Sequence, residues 1–187
     1  EAMNEAIFTQ LQKEMEQSVG ALRKDLAKIR TGRASTALLE HIVVDYYGAT
    51  TPLNQLATLS APEPRLLVVQ PYDRNAMGNI EKAILKSDLG LTPNNDGKIL
   101  RVPIPQLTEE RRKELVKHVK KIGEEFRVSV RNHRRVAVEH LKEAEKKKEI
   151  TADDSKHGHD RVQKITDDFI GRIDKIIKTK EEEIMEV

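Results

Sequence analysis

Three long stretches of this chain repeat apolar residues at steps of three and four. Residues 5–30 place Ile7, Leu11, Met15, Val19, Leu22, Leu26 and Ile29 on one stripe. Residues 108–148 do so with Leu115, Val119, Ile122, Phe126, Val130, His133, Ala137, Leu141 and Ala144. Residues 152–186 follow with Val162, Ile165, Phe169, Ile173, Ile176 and Ile184. That spacing is helical. At 1.5 Å per residue each helix would be roughly 40–60 Å long, and none can bury its stripe alone. Three such stripes predict an elongated antiparallel three-helix bundle with a coiled-coil-like seam. Phe126 is expected at the centre of the second stripe. Thr108 stands where an N-cap is needed, with Glu109 and Glu110 behind it. Thr151 caps the third helix, with Asp154 at the capping-box position.

The section between the first two stripes has a different period. "HIVVDYY" (41–47) and "RLLVVQPY" (65–72) are β-branched or apolar runs and read as strands, with a further strand at 56–60. "NIEKAILKSDLG" (79–90) reads as a short helix ending at Gly90. "NNDGKILRVPIP" (94–105) opens on a turn signal, Asp96-Gly97, and leads into a last strand. The expected fold class is therefore α+β in two domains. Residues 1–30 and 106–187 form the bundle, and 31–105 form a small inserted α+β domain. Both connections of the insert, near 30–34 and 103–107, lie at one end of the bundle. That arrangement predicts a hinge. Thr31 and Gly32 supply backbone freedom on one side, and Pro103 and Pro105 stiffen the other.

Charge is distributed unevenly. The net charge is only +2, yet residues 106–150 carry fourteen basic against nine acidic side chains, and 151–187 carry seven against ten. A local excess of this kind points to a polyanionic partner. It concentrates in "FRVSVRNHRRVAVEHL" (126–141). With Phe126 at the seam, Ala137 and His133 stay within about 20° of it, and Arg127, Arg131, Arg134 and Arg135 occupy an arc roughly 80–180° away. No acid lies among the four, and guanidinium groups fork phosphate oxygens bidentately. The competing reading is a solvated face whose arginines pair with acids of the third helix, such as Asp167 or Asp168. The six aromatic residues are scattered, so no stacking platform for splayed bases is expected. An RNA partner would be met through phosphate and folded shape.

Catalytic motifs are missing. There is no phosphate-binding glycine loop, no G-x-S-x-G elbow and no cysteine, so the chain is expected not to be an enzyme and to use no cofactor. His157-Gly158-His159 lacks a third metal ligand and reads as a solvated loop or exposed helix start. His133 and His140 read as core or boundary histidines. No apolar run approaches a membrane span, so a soluble, cytoplasmic monomer with no membrane partner is expected.

Several stretches in order resemble bacterial ribosome recycling factor: "KIRTGRAS" (28–35), "VDYYG" (44–48), "TPLNQLA" (51–57), "SDLGL" (87–91), "RVPIPQLTEERRKELVK" (101–117) and "VSVRNHRR" (128–135). The resemblance covers essentially the whole chain. His133 departs from it, because an aliphatic residue is expected there. The resemblance implies an L-shaped pair of domains and a factor that acts after termination of translation. Such factors bind the large ribosomal subunit across the tRNA sites. With elongation factor G and GTP they split the ribosome, releasing mRNA and tRNA. It further implies that Arg30, Arg33, Arg131 and Arg134 meet large-subunit ribosomal RNA, that Gly32 and 103–107 form the hinge, and that the small domain faces elongation factor G. A coiled-coil adaptor or chaperone-like protein without an RNA partner is the alternative that the heptads alone allow.

Overall fold

The computed structural model describes residues 2–186. In chain order the elements are α1 (Ala2–Ala27), β1 (Val43–Tyr46), β2 (Ala49–Pro52), the single turn α2 (Leu53–Leu56), β3 (Ala57–Glu63), β4 (Leu66–Pro71), α3 (Met77–Lys86), β5 (Asn94–Asn95), β6 (Leu100–Pro103), α4 (Glu109–Lys146) and α5 (Ala152–Met185). The chain divides into two compact units. One joins the residues up to Ile29 with those from Glu109 onward, and the other is Arg30–Thr108. The fold is α+β, as the change of period along the sequence implies.

In the larger unit α1, α4 and α5 pack against one another in all three pairings. Their stripes supply the core: Met15, Leu22, Val119, Val130, Val162 and Ile173 are fully or almost fully buried. Cross-helix pairs set the directions. His133 of α4 meets Glu14 of α1 at 3.0 Å, while Ser129 meets Ser18 at 3.4 Å, so α1 and α4 run antiparallel. Arg161 grips Glu5 and Arg172 grips Glu16, each through two hydrogen bonds, so α1 and α5 run parallel. Each arginine also lies over an aromatic ring, Arg161 over Phe8 at 4.1 Å and Arg172 over Phe169 at 4.6 Å. These forks hold both glutamates below the usual carboxylate range. At α5 the capping box is complete: Thr151 Oγ1 accepts from the Asp154 N–H, and Asp154 Oδ2 accepts from the Thr151 N–H.

The bundle corrects several expectations. Phe126 is only half-buried. The α4–α5 seam is close at Gly123, where an added Cβ would stand 2.8 Å from Ile177 Cγ1. A ring one turn further along is pushed to the margin by that close approach. His140 is exposed, whereas His133 is at the seam margin, as its Glu14 partner requires. The His157-Gly158-His159 stretch is neither a loop nor a solvated end. It lies inside α5, with Gly158 buried against Leu141 and Phe8 and both histidines turned outward. Glycine is there for packing.

The smaller unit has a β1–β2 hairpin and a four-stranded antiparallel sheet in the order β3-β4-β6-β5. Leu67, Val69, Leu100 and Val102 alternate inward from β4 and β6, and Ile80 and Ile84 of α3 complete the core with Leu39, Val44 and Leu53. β2 and α2 were not expected from the sequence. The strand character of β2 comes from pairing with β1 through the Tyr47-Gly48 turn, not from local propensity. α3 is shifted relative to the expected 79–90. Asp73 caps a 3₁₀ turn, Arg74–Ala76, that feeds the helix, and Ser87 closes it by bonding the Ile84 carbonyl. Gly90, in the left-handed region at φ +65°, serves the loop that follows.

Candidate nucleic-acid interface

The four arginines of the arc all lie on α4, but the structure gives them different work. Arg127 is half-buried, with 21% of its side chain exposed. Its Nε donates to Asp174 Oδ1 at 2.7 Å and its Nη1 to Glu124 Oε2 at 3.3 Å. Arg134 is half-buried, and its Nε donates to Gln163 Oε1 at 2.8 Å. Gln163 in turn donates to Asp167 at 2.8 Å. These two arginines fasten α4 to α5. Arg131 is 54% exposed and, among the described residues, meets only Glu124, at 3.3 Å along its own helix. Arg135 is exposed, with no hydrogen bond or ion pair among the described residues. The outward face of the arc is therefore Arg131 and Arg135.

The competing reading of the arc is thus realised in part. Asp174, not Asp168, is the acid that captures Arg127, and Asp167 is reached only through Gln163. Glu124 lies within the arc. The spacing could have shown it, because Glu124 precedes Arg127 by three residues and Arg131 by seven, which are both same-face intervals. Extending the view one turn toward the N-terminus would have found it. Even so, the ridge from Lys117 through Lys120, Lys121, Arg131 and Arg135 to Lys142 is exposed and basic, with Glu124 and Glu139 the acids on that face.

Arg30 and Arg33 belong to the smaller unit. Arg30 is half-buried, and its Nη2 is enclosed without a hydrogen-bond partner. Arg33 is exposed. Gly32 between them adopts φ +79°, a conformation that side chains disfavour, and a Cβ added there would stand 3.4 Å from Leu107 Cγ. Both chain connections of this unit are tied to one turn. The Ala34 N–H donates to the Pro64 carbonyl at 2.7 Å, and the Ile104 N–H to the Arg65 carbonyl at 2.8 Å. Arg65 Nη1 also donates to Gln106 at 3.1 Å. Pro103 lies inside the sheet, paired with Leu66, while Pro105 is in the exposed segment beyond it. Thr31 is half-buried beside Gly32. No group of three metal-ligating side chains occurs among the described residues, and no helix among them is long and apolar enough to cross a membrane.

The fold and this face define a class: a two-unit α+β protein whose three-helix bundle presents a guanidinium-bearing ridge. Comparison with known proteins narrows the class. Residues 22–185 match the family profile described as ribosome recycling factor. The ribosome-recycling factor of Natranaerobius thermophilus is 58% identical over 180 residues, spanning 96% of this chain and 98% of that protein. A solution structure of a ribosome recycling factor superposes with a TM-score of 0.78 at 46% identity, covering 98% of each chain. A second structure, of the Thermus thermophilus factor with Escherichia coli elongation factor G on the post-termination complex, gives 0.66 at 48% identity over 97% of this chain and 98% of that one. The chain belongs to the ribosome recycling factor family. Members of this family are translation factors of protein biosynthesis that bind the ribosome, and they are not enzymes.

Proposed function

We propose that this protein docks on the large ribosomal subunit after termination, across the sites that tRNA uses, and splits the ribosome together with elongation factor G and GTP. The nucleotide chemistry belongs to the partner. The observation that carries the reading is the exposed pair Arg131 and Arg135 on a basic ridge of α4, in a chain whose relative has been placed with elongation factor G on a post-termination complex. Exposed guanidinium groups on a rigid helix suit phosphate at fixed spacing. Arg127 and Arg134 set the ridge by tying α4 to α5, and Arg30 and Arg33 add cations from the smaller unit. The protein acts as a monomer in the cytoplasm, and the smaller unit faces elongation factor G.

The test is large-subunit binding as a function of salt. Arg131→Gln with Arg135→Gln should weaken binding and flatten the log–log salt slope by about 0.7–0.9 per lost phosphate contact, with melting unchanged. Lys146→Gln with Lys147→Gln removes equal charge away from the exposed arginine pair and should do less. Equal losses in the two variants would reduce the ridge to a diffuse positive field. Arg127→Gln should behave differently, lowering bundle stability by about 1 kcal/mol through its lost ion pairs.

A further inference from the structure

The hairpin of the smaller unit carries a residue in the wrong place for stability. β1 and β2 are joined by two residues, Tyr47 and Gly48, with φ of +50° and +81°. Two positive values in a two-residue loop define a type I′ turn, which prefers asparagine, aspartate or glycine at its first position. A tyrosine there is strained. Burial does not offset the strain, because Tyr47 is 76% exposed. Strained, exposed aromatic residues persist where something besides folding requires them.

Its surroundings are built. The Tyr46 and Tyr47 rings meet edge to face, with centroids 4.6 Å apart. The Tyr46 hydroxyl donates to Asp73 Oδ2 at 2.9 Å. The Asn75 N–H donates to Asp73 Oδ1 at 2.9 Å, and these bonds hold the carboxyl below its usual range, so it stays ionised. Asp45 accepts from the Gly48 N–H at 3.1 Å, fixing the turn. Tyr72, next to Asp73, is 70% exposed. All three tyrosines of the chain therefore gather at this tip. Tyrosine supplies amphipathic contact area at low entropic cost and anchors protein interfaces. Asp45 and Asp73 outnumber the exposed Arg74 that follows Asp73, so the tip disfavours phosphate, while ring faces and carboxylates together suit guanidinium and ammonium groups.

We propose that the tip formed by Tyr46, Tyr47, Tyr72 and Asp73 is a docking surface for a protein partner that presents arginine or lysine side chains. The inference rests on the recycling function proposed above, for which it names the surface a protein partner would use.

Two measurements on the full chain decide it. Tyr47→Asn suits the type I′ turn, so the variant should melt no lower than the parent. Combined with Tyr72→Ser, it should slow ribosome splitting with elongation factor G and GTP by roughly tenfold or more, the scale of interface anchors. Binding to isolated large subunits without elongation factor G should not change. Undiminished splitting overturns the proposal. So does an equal loss of binding to isolated subunits, which would turn the tip toward RNA. The second measurement uses the absence of tryptophan: tyrosine emission reports this tip alone. An arginine-rich peptide without aromatic residues should change that emission saturably, and an acidic peptide of the same length should not. No response, or equal responses, overturns the proposal. If the parent chain failed to split ribosomes, the recycling function would fall instead, and the peptide titration alone would decide the tip.

Discussion

Asp96 shows how one side chain organises a turn. Its Oδ1 accepts from the Ile99 and Lys98 N–H groups at 2.9 Å each, and its Oδ2 accepts from Arg101 at 2.7 Å. The two backbone donors, then the arginine, pull its pKa from 3.8 to about 2. A carboxyl depressed in the folded state stabilises above its unfolded pKa and loses that contribution as pH falls toward the folded one. Parent and Asp96→Asn should therefore differ most in denaturant midpoint above about pH 4 and converge between about pH 4 and 2. A difference that stayed constant across that range would assign the effect to turn geometry instead of charge. "NNDG" announced a turn in the sequence, but the carboxylate's partners lie up to five residues ahead, and only the closed turn brings them to it.

Helix contacts turn on two glycines. Gly123 and Gly158 are glycines of α4 and α5 at which an added Cβ would stand 2.8 and 3.0 Å from a neighbouring side chain. Alanine in a helix interior is normally favoured over glycine by about 1 kcal/mol. At Gly123 the new methyl would stand 2.8 Å from Ile177 Cγ1 and 2.9 Å from Cδ1. Overpacking of this kind costs about 1–3 kcal/mol, so Gly123→Ala should lower bundle stability by thermal or urea unfolding despite its better propensity. Pairing it with Ile177→Ala should recover part of the loss. A stabilised Gly123→Ala would mean that the seam yields. The three stripes were legible because a 3.6-residue period depends only on which face is apolar. Phe126 was misjudged because burial along a stripe also depends on how near the opposite helix comes, and that is fixed by glycines whose role the period does not reveal.

For the whole molecule, the hinge that the sequence predicts between the two units is a proposal that one substitution tests. Ala34 and Ile104 are both hydrogen-bonded to the Pro64-Arg65 turn, so the connections are held up to those residues. A hinge, as proposed, would then bend at 30–33 and 105–108, because Pro103 is part of the sheet. Gly32→Ala retains the small size but must hold φ near +79°, which costs an L-residue about 1–2 kcal/mol. It should leave the secondary structure of both units intact and slow splitting by elongation factor G. Full splitting activity in that variant would show that the joint does not bend there.

Periodicity and charge along the chain determined the bundle, the α+β insert and the existence of an arginine-rich face, because those properties need only the order of residue types. The tertiary structure decided which arginines remain outward. Asp174 and Gln163 stand 47 and 29 residues from Arg127 and Arg134, and no local pattern reports a partner on another helix. It also gathered Tyr46, Tyr47 and Tyr72 around Asp73. Residues some twenty-five positions apart become neighbours only when the hairpin folds against the start of α3, and the turn that joins β1 to β2 is what leaves Tyr47 outward.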